Sequence, residues 1–398
     1  MSPTVLETNA LYQNIYSLIS WVLPDSLSGI AGYVAGLAIV LFVANIVLVI
    51  TPLFIWFERR ILGRFQQRLG PNRWGPFGLL QPIADAIKLI IKEDIIPRGA
   101  DRPVFNAAPV ILFMPVMLMI AVIPFGTQFY LVDLNVGVLY IIAVGTLETI
   151  GIFMAGWASG NRYALMGAVR SVAMLVSYEV PLVMSLAAVL LWTGSMSLVD
   201  IVDKQPVPLI LLQPLGFFVF ITATIAEMNR APFDLIEAES EIVAGYHTEY
   251  SGMKFGVFQL AEFASVVVGA GFITAIFLKG AAGWAFLPSP VWFSLKWLAV
   301  IFCIIWIRAT LPRVRVDQVM AFAWKFLLPL SAINLIAIAV EIVLWPSPGS
   351  TELWIIGLAN FAIAGIAIFA LATALGHRNF SAREPQRPIR NIVSEKVI

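Results

Sequence analysis

The chain has 398 residues, of which 60% are hydrophobic and 12% charged, and its net charge at pH 7 is +1. Soluble domains average about 25% charged residues, so this composition excludes a water-soluble enzyme, and the large apolar fraction excludes a disordered chain. A polytopic membrane protein remains, and the small net charge gives no indication of nucleic-acid binding.

The cysteine and histidine counts limit the chemistry further. Cys303 is the one cysteine, and His247 and His377 are the two histidines, about 130 positions apart. A disulfide framework and a thiolate cluster are therefore excluded, and a bis-histidine haem or a multi-histidine metal site is not expected. The first positive charge is Arg59, so we expect no signal peptide.

Nine apolar stretches are long enough to cross a bilayer, which takes about 20 residues per helix. Helix is the expected structure, because open strand edges are not tolerated in lipid. The predicted spans are 30–57, 107–125, 138–157, 172–192, 211–229, 259–278, 291–308, 326–345 and 353–375. The sequence thus predicts an all-α polytopic membrane protein with about nine transmembrane helices.

Positive charges collect on one side of these spans. The segment before the first span has no lysine or arginine, and 22 of the 25 fall in the loops after the odd-numbered spans or in the C-terminal tail. Because cytoplasmic loops are enriched in lysine and arginine, we expect the N-terminus outside and the C-terminus in the cytoplasm.

The long first loop, 58–102, contains a predicted surface helix. Turn sequences at 70–72 and 75–76 precede a stretch, 79–92, with apolar residues at helical spacing and Asp85, Lys88 and Lys92 on the other side. Such an amphipathic helix can lie at the membrane surface or cap a chamber within the membrane.

The loop after the fifth span is acidic, with six carboxylates within the 23 residues 227–249. Like charges this close raise some carboxyl pKa values, which suits either proton relay or docking to a basic partner. Four more glutamates fall inside predicted spans, where a charge is costly and indicates function. They are Glu148, Glu179, Glu262 and Glu341, the last two of which could simply meet headgroups.

A set of short motifs in this order resembles one family, NuoH, which supplies a membrane component of bacterial NADH:quinone oxidoreductase, the respiratory complex I. The motifs are FERR at 57–60, RLGPNR at 68–73, LQPIAD at 80–85, KED at 92–94, GWAS at 156–159, SYEV at 177–180, RAPFD at 230–234, EAESE at 237–241, EYSGMKF at 249–255 and RATLPR at 308–313. The resemblance covers about 40–345, and the acidic loop with its EYSG motif is its most specific part.

The resemblance implies a membrane subunit of a proton-translocating NADH:quinone oxidoreductase in the bacterial cytoplasmic membrane. Such a subunit forms the quinone-access chamber together with hydrophilic quinone-site subunits, and it begins an acidic proton path toward antiporter-like membrane subunits. Quinone is then the substrate, and this chain is expected to carry no metal, flavin or iron–sulfur cluster, with no residue of its own in direct catalysis.

The family's functional residues are carried over through these motifs, apart from Glu148, which is included as a buried acid. The implied proton path is Glu179, Glu227, Asp234, Glu237, Glu239, Glu241 and Glu249, with Glu148 added. The implied chamber or subunit-interface residues are Glu58, Arg59, Arg60, Arg68, Asp85, Lys88, Glu93, Asp94, Arg308, Arg313 and Arg315.

Three features depart from the family pattern as we expect it. Ala231 stands where the loop often has another residue, Glu148 stands where a small apolar residue is expected, and the family usually ends after its eighth span. We therefore divide the chain into an outside segment 1–29, an eight-helix chamber core 30–345, and an extra helix with a basic tail, 346–398.

Three alternatives remain open. A homologous membrane subunit of an energy-converting hydrogenase, or of a ferredoxin- or deazaflavin-dependent complex, would share the architecture but use another electron donor. A stand-alone proton-coupled transporter would suit the buried acids, although the sequence shows no repeat of the 58–102 or 227–254 loops. A purely structural anchor leaves Glu148 and Glu179 unexplained.

Overall fold

Apolar helices make up nearly all of the regular structure. The computed structural model describes residues 31–127, 129–235, 244–283, 287–346 and 348–381, together with residues 13, 15–18 and 20. All regular secondary structure in these ranges is helical. The helices are α1 (Ala31–Phe65), α2 (Gln81–Ile91), α3 (Arg102–Ile120), α4 (Gly137–Ala158), α5 (Arg162–Thr193), α6 (Leu198–Lys204), α7 (Leu209–Leu212), α8 (Pro214–Glu227), α9 (Gly252–Phe277), α10 (Ser289–Thr310), α11 (Val316–Phe322), α12 (Leu328–Leu344) and α13 (Ser350–Ser381).

Eight helical stretches within the described residues are long and apolar enough to cross a membrane. They are α1, α3, α4, α5, α9, α10, the continuous stretch α11–α12, and α13, and the shorter α8 lies among them. The predicted all-α polytopic class is confirmed, and each of the nine predicted spans corresponds to one of these elements. The side of the membrane on which the termini lie stays a prediction.

The predicted fifth span is broken into two pieces. Gln213 has φ −128° and ψ 62°, so the chain leaves helical geometry between α7 and α8. Pro214 then begins α8, where its missing N–H costs no intrahelical hydrogen bond. Gln213 is fully buried, and its Nε2 donates to the carbonyl oxygen of Ala188 over 3.4 Å. A sequence window that averages hydropathy does not detect a break made of one buried polar residue and a proline.

The eighth span begins earlier than predicted and contains a π-helical turn. Helix runs from Val316 to Leu344, and Ala323–Leu327 within it has π geometry. A π-turn places one extra residue in the helix, and such turns are frequent at functional sites. Trp324 in this turn donates to the Ser177 hydroxyl on α5 over 3.2 Å.

Small residues allow α3, α4 and α5 to approach closely. A Cβ atom on Gly151 of α4 would lie 2.9 Å from the Leu112 Cβ on α3, and one on Gly156 would lie 2.3 Å from the Ala168 Cβ on α5. Helices in lipid associate through such close van der Waals packing, because no hydrophobic gain is available between them.

The last helix, α13, is fixed by buried polar contacts. Asn360 Nδ2 donates to the Leu212 carbonyl over 2.7 Å and to Glu341 Oε2 over 3.1 Å, and Asn360 and Glu341 are both buried. In lipid an unsatisfied polar group is costly, so these bonds select one packing of α13 against α7 and α12.

The loops between the long helices contact one another at each end of the bundle. At one end Val314 N–H donates to the Pro232 carbonyl over 3.1 Å, and Lys254 Nζ lies 2.7 Å from Asp94 Oδ2. We call this end the basic face, because it includes the arginine-rich first loop. At the opposite face the ammonium of Lys296 donates to three carbonyl oxygens near the end of α9, at 2.5–3.0 Å.

Candidate functional site

Four charged residues form a buried group at the basic face. Arg230 Nη1 lies 3.7 Å from Glu58 Oε1 and 3.7 Å from Glu262 Oε1, and Arg308 donates to Glu58. Glu58 and Arg230 are each 3% exposed, so water screens their attraction only weakly. We call these four residues the charge cluster. It joins α1, α9, α10 and the segment after α8.

A left-handed residue directs Arg230 into the charge cluster. Asn229 has φ 54°, and its N–H donates to the Ala226 carbonyl just beyond the end of α8. Asparagine tolerates this region better than most residues, which is why it can end a helix abruptly. Arg230 then turns inward, with its guanidinium carbon 4.2 Å from the centroid of the Phe263 ring, a cation–π distance.

A cavity of about 450 Å³ opens between α1, α2 and α9 at the same face. Small-molecule sites span about 300–1,000 Å³, so this volume suits a ligand headgroup. Its lining includes Pro52, Ile55, Arg59, Pro82, Asp85, Ala86, Lys88, Leu89, Gln259, Leu260 and Phe263. Arg59 Nη1 lies 2.6 Å from Asp85 Oδ2, and Lys88 lies 3.8 Å from the other oxygen. We call this space the chamber cavity; one part of its wall is charged and the rest is mostly apolar.

The loop after α2 is tied to the start of α9. Ser251 Oγ accepts from the Ile95 N–H over 3.0 Å and donates to the Glu93 carbonyl over 3.1 Å, and the Asp94–Lys254 ion pair lies beside them. Gly252 has φ +58°, and a Cβ there would lie 3.0 Å from the Lys92 carbonyl oxygen. Only glycine fits this approach without strain. These contacts, the loop latch, set the position of α2 over the chamber cavity.

Three carboxylates line a second, smaller cavity inside the bundle. Glu148 of α4, Glu179 of α5 and Glu227 of α8 all border a space of about 60 Å³. A water molecule needs about 10–15 Å³ in this measure, so the cavity has room for a few waters and none for a ring compound. Gly145 faces Glu227, since a Cβ there would lie 3.4 Å from Glu227 Oε1. We call this space the acid cavity.

Helix α9 separates the two cavities. Gln259, Leu260 and Phe263 line the chamber cavity, and Ser265, Val268, Gly269 and Phe272 line the acid cavity. Glu262 lies on the same helix, next to Phe263 of the chamber wall, and belongs to the charge cluster. Helix α9 therefore carries residues of the chamber cavity, the charge cluster and the acid cavity.

The remaining predicted path residues are placed as follows. Asn161 Nδ2 donates to Glu249 Oε1 over 2.6 Å, while its own Oδ1 caps α5 by accepting from the Tyr163 N–H. Asp234 is half-buried after α8. Glu237, Glu239 and Glu241 lie outside the described residues.

A buried tyrosine lies next to Glu249. Tyr250 stacks on Phe105 with 3.9 Å between ring centroids and donates to the Phe105 carbonyl over 3.3 Å. Burial raises the pKa of its phenol well above the usual value, so the hydroxyl stays a neutral donor at every physiological pH.

The remaining predicted chamber or interface residues lie mostly at the surface. Arg60 donates to the Phe77 carbonyl over 2.6 Å, which fixes the turn before α2. Arg68 and Glu93 are exposed in the first loop. Arg313 and Arg315 are exposed between α10 and α11. The structure thus brings Glu58 and Arg308 into the charge cluster and Arg59, Asp85 and Lys88 to the chamber cavity, and leaves the others outside both.

Three residues that the sequence did not single out take part in these groups, together with Glu262, which it noted only as an acid inside a predicted span. Arg230 and Glu262 complete the charge cluster, Lys254 belongs to the loop latch, and Asn161 holds Glu249. Arg230 and Lys254 stand inside recognised motifs, so the motif was the available signal. No spacing in the sequence indicates the pairings, which join residues 88 or more positions apart in three of the cases.

Fold and site together define a polytopic membrane protein with a ligand-sized cavity at one face and buried carboxylates behind it. The family model described as NADH dehydrogenase matches residues 37–339. The H subunit of the NADH-quinone oxidoreductase from Dehalococcoides mccartyi is 59% identical over 313 residues, which cover 79% of this chain and 88% of that protein. The corresponding protein of Geobacillus kaustophilus is 53% identical over 288 residues (71% and 86%), and that of Bacillus cytotoxicus 48% over 313 (77% and 92%).

The chain therefore belongs to the NuoH family, the H subunits of NADH-quinone oxidoreductase, as its motifs predicted. The match to the family model ends at residue 339, before Glu341 and the whole of α13.

Proposed function

We propose that this chain is the membrane subunit of a proton-translocating NADH:quinone oxidoreductase, in which it forms the quinone-access chamber and the start of the proton path. The observation that carries the proposal is the position of α9 between the chamber cavity and the acid cavity. One helix then has substrate on one side and proton-carrying groups on the other.

The chamber cavity suits a quinone headgroup by its volume and by its lining. An apolar wall receives an isoprenoid-bearing ring from the membrane, and Arg59, Asp85 and Lys88 supply charge where a reduced ring takes up protons. Amphipathic α2 covers the space, with the loop latch holding its end.

The acid cavity suits proton transfer. Glu148, Glu179 and Glu227 border a space with the volume of a few water molecules, and water between carboxylates can carry protons from one to the next. Reduction of a quinone changes the charge beside the charge cluster, and the resulting field shifts the proton affinity of the carboxylates beyond α9. Asp234, Glu237, Glu239, Glu241 and Glu249 are proposed to continue the path toward the basic face.

The same proposal assigns partners and location. Hydrophilic quinone-site subunits cover the basic face and antiporter-like subunits continue the proton path within the membrane, which is the bacterial cytoplasmic membrane. Quinone is the substrate and NADH the electron donor through a partner subunit.

Carboxylate substitution in the assembled enzyme tests the proton path. With the complex in liposomes, Glu179→Gln and Glu227→Gln are expected to abolish NADH-driven acidification of the lumen, measured with a pH-sensitive dye, at normal assembly. Glu352→Gln is the matched control, because Glu352 is half-buried at the start of α13, where its carboxylate accepts from the Gly349 N–H over 2.7 Å. Unchanged proton pumping in Glu179→Gln and Glu227→Gln contradicts the proposal.

Filling the chamber cavity tests quinone access. Ala86→Trp places a large ring in the cavity and is expected to raise the KM for quinone far more than it lowers kcat. Leu298→Trp on the exposed side of α10 adds the same ring outside any described cavity and serves as control. Equal effects of both substitutions would count against this location of the chamber.

A further inference from the structure

A second ligand-sized cavity lies on another side of the bundle. It has a volume of about 570 Å³ and is bounded by α8, α10, α11 and the segments that join them at the basic face. Its floor is apolar and is made by Phe218, Ile221, Ile225, Ile307, Leu311 and Phe322. We call it the lateral groove. No residue of the lateral groove lines the chamber cavity or the acid cavity.

The lateral groove is short and begins at the basic face. From Phe218 to Ile225 it follows eight residues of α8, a rise of about 10 Å, whereas the hydrocarbon core is about 30 Å thick. Before α8, the neighbouring α7 is already contacted by α13, whose Asn360 donates to the Leu212 carbonyl. A transmembrane helix of a partner needs a contact along most of the membrane, which this groove does not offer.

Two arginines adjoin the lining of the lateral groove in the sequence. Pro312 and Val314 line the groove, Arg313 stands between them, and Arg315 follows directly. The Arg315 N–H donates to Gln318 Oε1 over 3.3 Å, and Gln318 is itself a lining residue. Both arginines are exposed, and the sequence 311–322 holds one acid, Asp317, against them. The Arg308 guanidinium, by contrast, is paired with Glu58.

A groove with an apolar floor and two arginines beside it matches one class of ligand. Anionic phospholipids are concentrated in the cytoplasmic leaflet, and basic pockets between transmembrane helices on that side bind their headgroups. Arginine is suited to this because its planar donors match a phosphate in a bidentate way. We propose that the lateral groove binds an acyl chain of an anionic phospholipid whose phosphate is held by Arg313 and Arg315.

The test is photo-crosslinking in the assembled complex. The complex is placed in nanodiscs that contain a trace of phosphatidylglycerol or of phosphatidylcholine, each with the same photoreactive acyl chain, and labelled peptides are mapped by mass spectrometry. Phosphatidylglycerol is expected to label 218–225 and 307–322 at least about fivefold more than phosphatidylcholine, the preference that one well-placed arginine supplies. The double variant R313Q/R315Q should remove this preference.

Two further variants make the result decisive. R73Q/R98Q removes the same charge from exposed positions of the first loop and should keep the preference. Ile221→Trp fills the floor and should reduce labelling by phosphatidylglycerol although both arginines remain. Equal labelling by the two lipids, or equal loss in both arginine doubles, overturns the proposal. So does absence of label in the intact complex, because a protein subunit then covers the groove.

Discussion

At the scale of single residues, Arg230 joins the charge cluster to the wall of the chamber cavity. It is buried, shares its charge between Glu58 and Glu262, and lies over Phe263, a residue of the chamber wall. A buried ion pair is seldom a net gain over an apolar substitute, but removing one partner leaves charge in a medium that solvates it poorly.

Arg230→Met is therefore expected to destabilise the subunit by about 3–5 kcal/mol, the usual cost of breaking a buried ion pair from one side. Thermal unfolding of the purified complex and the yield of assembled enzyme measure it. R230M/E262Q should recover part of the loss, because it removes an acid together with the cation. Exposed Arg73→Gln is the control, and a loss no greater than in Arg73→Gln refutes the role given to the charge cluster.

The Lys254–Asp94 ion pair of the loop latch affects the chamber cavity indirectly, through the position of α2. Lys254 and Asp94 are partly exposed, so their attraction contributes little to stability, about 0.2–1 kcal/mol. They hold the end of the loop that carries α2, however, and α2 is one wall of the chamber cavity.

Lys254→Met is expected to raise the KM for quinone by about two- to fivefold with little change in kcat, the size that a pair of this exposure can supply. Steady-state kinetics with a soluble quinone measure it. The exchange D94K/K254D restores the pairing and should return the KM toward the original value. If the exchange is as defective as Lys254→Met, the effect comes from something other than the pair.

At the scale of helices, α13 shows how an element beyond the family's matched region is joined to the bundle. One amide, Asn360, bonds to a backbone carbonyl of α7 and to the Glu341 carboxylate of α12. Both groups are buried, so neither has water as an alternative partner.

Asn360→Leu is expected to cost about 1–3 kcal/mol, because it leaves Glu341 buried without this donor. The double variant N360L/E341L should be more stable than N360L alone, since a carboxylate with no partner costs more than an apolar pair. Thermal unfolding in detergent measures the difference, with exposed Thr373→Val on the same helix as control. Additive losses in the double variant show that the pair does not act as a unit.

The sequence predicts the helices better than their ends or their interruptions. Hydropathy finds the eight described stretches that are long enough to cross a membrane, and the shorter α8 as well, because apolar residues in succession have one stable arrangement in lipid. The π-turn at Ala323–Leu327 contacts α5, and no local pattern indicates it. The break at Gln213 also contacts α5 but has a local signal in Pro214, because the residue before a proline is disfavoured in helical geometry. Helices α1 and α5 also extend beyond the predicted spans 30–57 and 172–192, because charged residues end the hydropathy signal but not the helix.

The sequence predicts many of the residues at the site, but not which of them contact one another. Motifs identify Glu58, Arg59 and Asp85, and the cost of charge in lipid identifies Glu148 and Glu179. That Glu148, Glu179 and Glu227 border one space follows from the crossing of α4, α5 and α8. That crossing depends on close helix packing, such as that of Gly151 on Leu112, which one sequence does not reveal.

At the scale of the whole molecule, the chamber cavity and the acid cavity differ in volume and therefore in what they can hold. A cavity of about 450 Å³ at the basic face admits a ring, and one of about 60 Å³ inside the bundle admits only water. A ring that fits the chamber cavity is therefore too large for the acid cavity, and residues of α9 line both spaces. Under the function proposed above, the redox reaction would act on the proton-carrying groups across α9 and not by contact with them.

The π-turn has a consequence for how this chain tolerates insertions and deletions. Each residue of a regular α-helix turns its successors by about 100°, but the wide π-turn at Ala323–Leu327 absorbs one extra residue without that rotation, so the helix keeps one register on both sides of the turn. In that register Asn334 faces Gly216 of α8, with its Nδ2 2.9 Å from the Cβ position, and Glu341 faces Asn360.

Deleting Lys325 alone is therefore expected to convert the turn to regular α-helix and to leave Asn334 and Glu341 facing the same neighbours. Deleting Ala337, which lies in regular α-helix, should instead rotate Glu341 by about 100° away from Asn360. Blue-native electrophoresis should then show the assembled complex for the first deletion and its loss for the second. Loss of the complex in both deletions would show that the π-turn does not absorb an extra residue.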